Sequence, residues 1–250
     1  MPFRSPIAVG SAPGERRKAL GALRSMTENL EPPMTRSSTD LANELRRRLD
    51  REKRIATHRL ADAPAPFVLA SASPRRRQLL QSLGLRFEVA PADIDEIPAD
   101  GETPQQFSAR TAEEKAALVA TRHPGRRVLA ADTVVALGNT IFGKPQSRAD
   151  AVRMLAALSG VTHRVCTAVV LLAGGHSDNA VLVETEVTFR SLAADEIGSY
   201  IDSGEPFDKA GAYGIQGGAA RFVTAVTGSY SNVIGLPLEE VAGLLAALPA

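Results

Sequence analysis

Tryptophan is absent from this chain of 250 residues, and aromatic residues make up only 4% of it. A dedicated single-strand nucleic-acid binder needs aromatic platforms on which bases stack, so nucleic acid is not an expected partner. There is one cysteine, Cys166. It excludes an intramolecular disulfide and a structural zinc site of the Cys2His2 kind, and it suits a reducing compartment. No apolar run approaches the ~20 residues that a membrane helix requires. Met1-Pro2-Phe3-Arg4 leads into no apolar signal-peptide core, so the expectation is a cytoplasmic protein with no membrane partner. What is present is ordinary: 44% hydrophobic and 23% charged residues, the balance of a soluble globular protein and not of a fibrous or disordered one. The length allows one large domain or two small ones, with ample core.

The net charge of +1 conceals a division. Up to Pro66 there are 13 Lys and Arg against 8 Asp and Glu, and from Phe67 onward 16 against 20. Pro2, Pro6, Pro13, Pro32, Pro33, Pro64 and Pro66 punctuate the basic part and oppose regular structure. Residues 1–66 are therefore expected to be a flexible extension. It either touches an acidic partner or nucleic acid or is simply solvated, with Met26 or Met34 as alternative starts. Within it only 40–60 looks helical, and its stripe of Leu41, Leu45 and Leu49 is so thin that a marginal helix is expected.

From 67 to 250 strands and helices alternate. Phe67–Ala70 is a short buried strand by its apolar run, and Ser73 followed by Pro74 opens a helix that Gly84 ends. Arg86–Val89 alternates as a strand, and Thr103-Pro104-Gln105-Gln106 is a capping box for a helix to Arg122. Val128–Ala131 reads as a second buried strand ending at Asp132, with a hairpin over 134–142 turning at Gly138-Asn139. Ser147 caps a helix to Leu158. Strands are expected over 164–172 and 181–190 with Gly174-Gly175 between them, and helices over 194–203 and 237–248. This order implies an α/β fold with a mixed parallel and antiparallel sheet.

Three segments carry chemistry. In Ser71-Ala72-Ser73-Pro74-Arg75-Arg76 a strand feeds a hydroxyl-rich loop and then a helix N-terminus, where arginines are unfavourable unless an anion is bound. Phosphate held by Arg75 or Arg76 accounts for the pattern, and a solvated helix start is the plain alternative. Asp132, directly after a buried strand, stands where open α/β sheets place ligands and could hold Mg²⁺ or accept a proton from water; a turn cap is the alternative. Glu96 is a possible second carboxylate. Gly138–Pro145 nearly matches a P-loop, but Pro145 replaces the hydroxyl that binds magnesium, so Lys144 is better read as a separate phosphate-binding cation. In the third segment Gly211, Gly214 and Gly217 would let backbone approach a ligand, and Gln216 could read a nucleobase edge. Gly228–Asn232 reads as a loop, and His163 and Cys166 as core or supporting strand residues.

Taken together, seven segments in order resemble the Maf family of nucleoside triphosphate pyrophosphatases. They are Leu69–Arg76, Glu114–Ala116, Ala131–Val134, Gly143–Pro145, Ser159–Thr167, Asp208–Gly217 and Gly235–Leu238. The resemblance implies an elongated, two-lobed α/β fold with a central cleft, similar to the inosine triphosphate pyrophosphatases. It implies hydrolysis between the α- and β-phosphates with a divalent cation, Mg²⁺ or Mn²⁺. By resemblance Asp132 is the proton acceptor and, with Glu96, a metal contact. Ser71, Ser73, Arg76, Lys115, Lys144 and Lys209 would bind phosphate. The branch acting on dTTP and UTP carries Arg, Thr and Gln at three specificity positions, matched here by Arg75, Thr133 and Gln216. The branch acting on 7-methyl-GTP carries Trp, Gln and Glu instead. Because Maf relatives have been linked with cell-division arrest, a nucleotide-binding regulator without turnover is the alternative. A homodimer is left open.

Overall fold

Phe67–Leu69 (β1) is fully buried, as its unbroken apolar run requires of a strand covered on both faces. It is the start of a seven-stranded sheet in a computed structural model that describes residues 38–60, 64–173 and 176–247. β2 (Phe87–Val89) and the first part of β3 (Val128–Leu137) flank β1 in parallel. The remaining pairings are antiparallel: β3 with β4 (Thr140–Phe142), β3 with β5 (Thr162–Ala173), β5 with β6 (His176–Phe189) and β6 with β7 (Val223–Thr227). The order is β2-β1-β3-β5-β6-β7, with β4 beside β3. This is the mixed α/β sheet expected from the sequence. Gly174-Gly175 lies outside the described residues.

Helices cover both faces. α3 (Pro104–Arg122) begins with the full capping box of Thr103 and Gln106 and packs Ala112, Ala116 and Val119 on Val68, Ala70, Val128 and Ala130. The larger core lies on the other face, beneath α2 (Pro74–Gln81), α4 (Arg148–Leu158), α5 (Ala194–Asp202) and α7 (Leu238–Ala246). Between β7 and α7 runs a single helical turn, α6 (Tyr230–Ile234), capped by Ser229. The turn begins within Gly228–Asn232, where the sequence pattern predicts a loop.

Two elements differ from expectation. The helix near the N-terminus, α1 (Ser38–Arg59), is 22 residues long and packs on the main core. Leu41, Leu45, Ala56 and Leu60 are buried in the main core, and Glu52 is buried on the same side. Counting leucines alone undercounted the stripe, because Glu52 and Ala56 also face inward. Residues from Ser38 onward belong to one compact unit, so a boundary at residue 66 does not mark the edge of the packed structure. Residues 1–37 lie outside the described residues. The second difference concerns β3, which does not end at Asp132. It continues to Leu137, paired with β5 along its length. Thr133-Val134-Val135 has the β-branched character of a strand interior, and β5 supplies the partner that the sequence alone did not reveal.

Candidate active site

The site forms where β3 leaves β1. Parallel pairing ends at Leu129, opposite Leu69, and β4 joins the same edge only at Val135. Along the intervening stretch the edge of β3 faces the loop Ser71–Ser73, so its peptide groups need partners from elsewhere. Arg76 supplies one: its Nη1 donates to Ala131 O at 2.8 Å.

Arg76 is buried. Nη1 also donates to Ser71 Oγ at 3.1 Å, Nη2 to Thr133 Oγ1 at 2.9 Å and Nε to Gly235 O at 2.8 Å. Four of the five guanidinium N–H groups are thus committed to protein acceptors, and one remains for a ligand. Burial pulls its pKa down, against the charges of Asp132 and Glu96. The arginine reaches this position because Ser73 Oγ caps the Arg76 amide and Pro74 presets the first turn of α2. Ser71 Oγ accepts from Arg76 and from Ser73 N, which leaves its own hydrogen to donate.

Alternation along β3 divides the chemistry between two faces. Asp132 points to the face covered by α3, where Lys115 Nζ donates to its Oδ1 at 2.7 Å. Thr133 points to the opposite face, toward Arg76, Gly235 O and Thr167 Oγ1. Asp132 and Lys115 are both buried. The same ammonium meets Glu96 Oε1 at 2.6 Å, and Lys144 Nζ lies 3.6 Å from Glu96 Oε2. Burial raises the Glu96 pKa, but the Lys115 hydrogen bond and the charges of Lys115, Lys144 and Arg76 outweigh it, leaving the carboxyl below its ordinary value.

On the far wall Arg75 Nη1 pairs with Asp208 Oδ2 at 3.2 Å. Lys209 Nζ bonds Asp208 Oδ1 and Glu205 O, each at 2.5 Å. Glu205, to which the sequence reading assigned no role, organises the glycine-rich loop. Its Oε1 accepts from Tyr200 OH at 3.0 Å, its Oε2 from Gly218 N at 2.9 Å, and Tyr200 OH accepts from Gly214 N at 3.1 Å. The signal available in the sequence was Gly204-Glu205-Pro206, a turn that sets one carboxylate beside many free amides. Two of the glycines make room for protein side chains. A Cβ on Gly217 would lie 2.0 Å from Glu205 Oε1, and one on Gly214 would lie 2.7 Å from Lys209 Cε. Gly214 and Gly217 also line the cleft.

The candidate catalytic, metal, phosphate-binding and specificity residues all line one cleft of about 920 Å³: Ser71, Ser73, Arg75, Arg76, Glu96, Lys115, Asp132, Thr133, Lys144, Lys209 and Gln216. Lys144 and Gln216 are exposed within it. The P-loop likeness dissolves, since Gly143 O instead accepts from Gly211 N at 3.0 Å. His163 and Cys166 stay out of the cleft. His163 Nε2 bonds Tyr213 OH at 2.9 Å between the rings of Phe189 and Tyr213, and burial lowers its pKa to about 4. Burial, with Glu184 beside it, pushes the Cys166 thiol up to about 12.

Asp132 and Glu96 present carboxylate oxygens drawn together by one ammonium. No group of three His, Cys, Asp or Glu residues able to hold a metal occurs among the described residues. Such a pair fits a hard cation that takes its other ligands from phosphate and water; it does not fit an all-protein cage. No helix among the described residues is long and apolar enough to cross a membrane.

The Maf-like protein family model matches residues 66–248. A dTTP/UTP pyrophosphatase from Myxococcus xanthus is 56% identical over 179 residues, covering 72% of this chain and 90% of that protein. One from Anaeromyxobacter dehalogenans is 52% identical over 182 residues, covering 72% and 92%. The solved structure of a HAM1 protein from Coxiella burnetii aligns with 72% of this chain and 98% of its own, at 17% identity and a TM-score of 0.42. On the family match and the extent of identity to these relatives, the chain belongs to the Maf family.

Proposed function

We propose that this protein hydrolyses dTTP and UTP between the α- and β-phosphates, releasing the nucleoside monophosphate and pyrophosphate. The observation that carries this reading is Lys115 joining Asp132 and Glu96 in a cleft whose rim holds Arg75, Lys144 and Lys209. Two carboxylates suit proton transfer and cation binding, and the surrounding cations suit a polyphosphate. The names of the relatives supply the substrate class.

Asp132 is the proton acceptor. Its Oδ1 is held by Lys115, leaving Oδ2 to take a proton from the attacking water. Attack forms the new bond to the α-phosphorus as the bond to the bridging oxygen breaks, and the charge that develops passes to the departing pyrophosphate. Lys144, Lys209 and Arg75 neutralise that charge, with the hydroxyls of Ser71 and Ser73 and the remaining N–H of Arg76 as further donors. Asp132 and Glu96 would hold a divalent cation, Mg²⁺ or Mn²⁺, which when bound polarises phosphoryl oxygens. Arg75, Thr133 and Gln216 set the preference for pyrimidine nucleotides. Thr133 acts from within the Arg76 network, and Gln216 acts from the exposed loop.

A panel of dTTP, UTP, CTP, ATP, GTP and 7-methyl-GTP, each with Mg²⁺ or Mn²⁺, tests the reading. Monophosphate plus pyrophosphate from dTTP and UTP is expected. Orthophosphate release, or preference for 7-methyl-GTP, would contradict it. Binding of dTTP without turnover would restore the alternative of a nucleotide-binding regulator.

A further inference from the structure

α6 is one turn long, and a single turn fixes several backbone dihedrals for little hydrogen bonding in return. Its conformation therefore depends on what holds its two ends. At its C-terminal end Gly235 O accepts from Arg76 Nε at 2.8 Å, and Val233, Ile234 and Gly235 line the cleft. The N-terminal end is held by Glu52, buried on α1. One carboxylate oxygen accepts from Tyr230 N at 2.7 Å. The other accepts from Ser231 N at 2.8 Å and from Ser229 Oγ at 3.2 Å. Amides at a helix start are the donors left without helical partners, and a negative charge beside them is favoured by the dipole.

α1 grips the chain on both sides of this turn as well. Arg48 Nη1 donates to Val226 O at 2.7 Å, and Arg59 Nη1 to Glu239 O at 2.8 Å. The segment that carries Gly235 is thus fixed to α1 before, at and after α6. Glu52 lies outside the residues matched by the family model, which begin at 66. The α1 side of the clasp therefore belongs to a part of this chain that the family match does not describe.

We propose that Glu52 is a positioning residue for the cleft: by fixing the start of α6 it sets Gly235 O, and through Gly235 O it sets the guanidinium of Arg76. The effect on turnover rests on the pyrophosphatase reading, whereas the effect on Arg76 does not. Glu52→Gln in the full chain keeps the size of the side chain but turns part of its acceptor surface into a donor facing other donors.

Two measurements together test this. The Arg76 Nε–H resonance, assigned by its disappearance in Arg76→Lys, reports the bond to Gly235 O without any catalysis. In Glu52→Gln its exchange with solvent should quicken by about tenfold, within the range of coupling through a shared hydrogen-bonded element. With dTTP, kcat/KM should fall by about three- to thirtyfold in Glu52→Gln, and adding Glu52→Gln to Arg76→Lys should cost much less, because the route through Arg76 is already broken. Where Glu52→Gln melts too low to assay, Ser229→Ala weakens the same clasp and should move both readouts in the same direction. Unchanged Arg76 exchange with a lowered melting temperature would overturn the proposal, leaving Glu52 a prop for the fold alone. So would losses in kcat/KM that multiply in the double variant. A parent protein that turns over no nucleotide would refute the pyrophosphatase reading, while the Arg76 resonance would still decide the role of Glu52.

Discussion

Lys115 Nζ stands 2.7 Å from Asp132 Oδ1 and reaches Glu96 Oε1 at 2.6 Å with a second N–H, so a helix cation joins a strand carboxylate to a loop carboxylate. The strand carboxylate is buried and fixed, whereas Glu96 is the more exposed of the two. That asymmetry suits a site in which one carboxylate handles a proton and the other adapts to a cation and its phosphates.

Arg76 is expected to carry architecture as well as charge. Replacing it by Lys keeps the charge but cannot reproduce four bonds from one planar group to Ser71, Ala131, Thr133 and Gly235. Arg76→Lys should lower the free energy of unfolding by about 1–3 kcal/mol, the cost of leaving buried acceptors unpaired. Urea denaturation measures it. Stability equal to that of the parent would show that the buried network contributes little.

Gly217→Ala should disrupt the Gln216 loop. The added Cβ meets the carboxylate of Glu205, which must swing away from Tyr200 and Gly218. KM for dTTP and UTP should rise by about tenfold, corresponding to ~1.4 kcal/mol of lost binding, with a smaller change in kcat. Steady-state kinetics on both substrates checks this, and an unaltered KM would remove the loop from substrate binding.

His163 gives the fold a pH dependence. Its pKa is about 4 in the folded protein against 6.5 for the free side chain, so between those values the unfolded chain binds the extra proton. The neutral ring contributes stability that is fully present above pH 6.5 and is lost as pH falls toward 4, by about 3 kcal/mol in all. Denaturation between pH 5 and 7.5 should show the slope in the parent, and His163→Gln should flatten it. A slope that persists in the variant would assign it to other groups.

Much of this was legible in the sequence because local signals and tertiary demands agree. Ser73 with Pro74, the Thr103–Gln106 box and Ser147 each open the helix they announce. The cleft residues fell in segments where charge or glycine stood against the local pattern. What stayed hidden depends on partners distant in the chain. β3 runs past Asp132 paired with β5, and Glu52 of α1 accepts from amides at the start of α6 some 180 residues away. The packing of Lys209 against Gly214 and of Glu205 against Gly217 likewise depends on the folded chain.

Asp132→Asn tests the central claim most directly. Asn preserves size and most hydrogen bonding but removes the charge and the proton-accepting oxygen. Pyrophosphate release from dTTP should fall in kcat by ~10²–10⁴-fold, the range of a general base, while dTTP still binds. Losing the negative charge that faces Lys115 makes some fall in melting temperature acceptable. Loss of turnover in a folded, nucleotide-binding variant is the result this account predicts. A variant that releases pyrophosphate at the parental rate would contradict it, whatever its melting temperature.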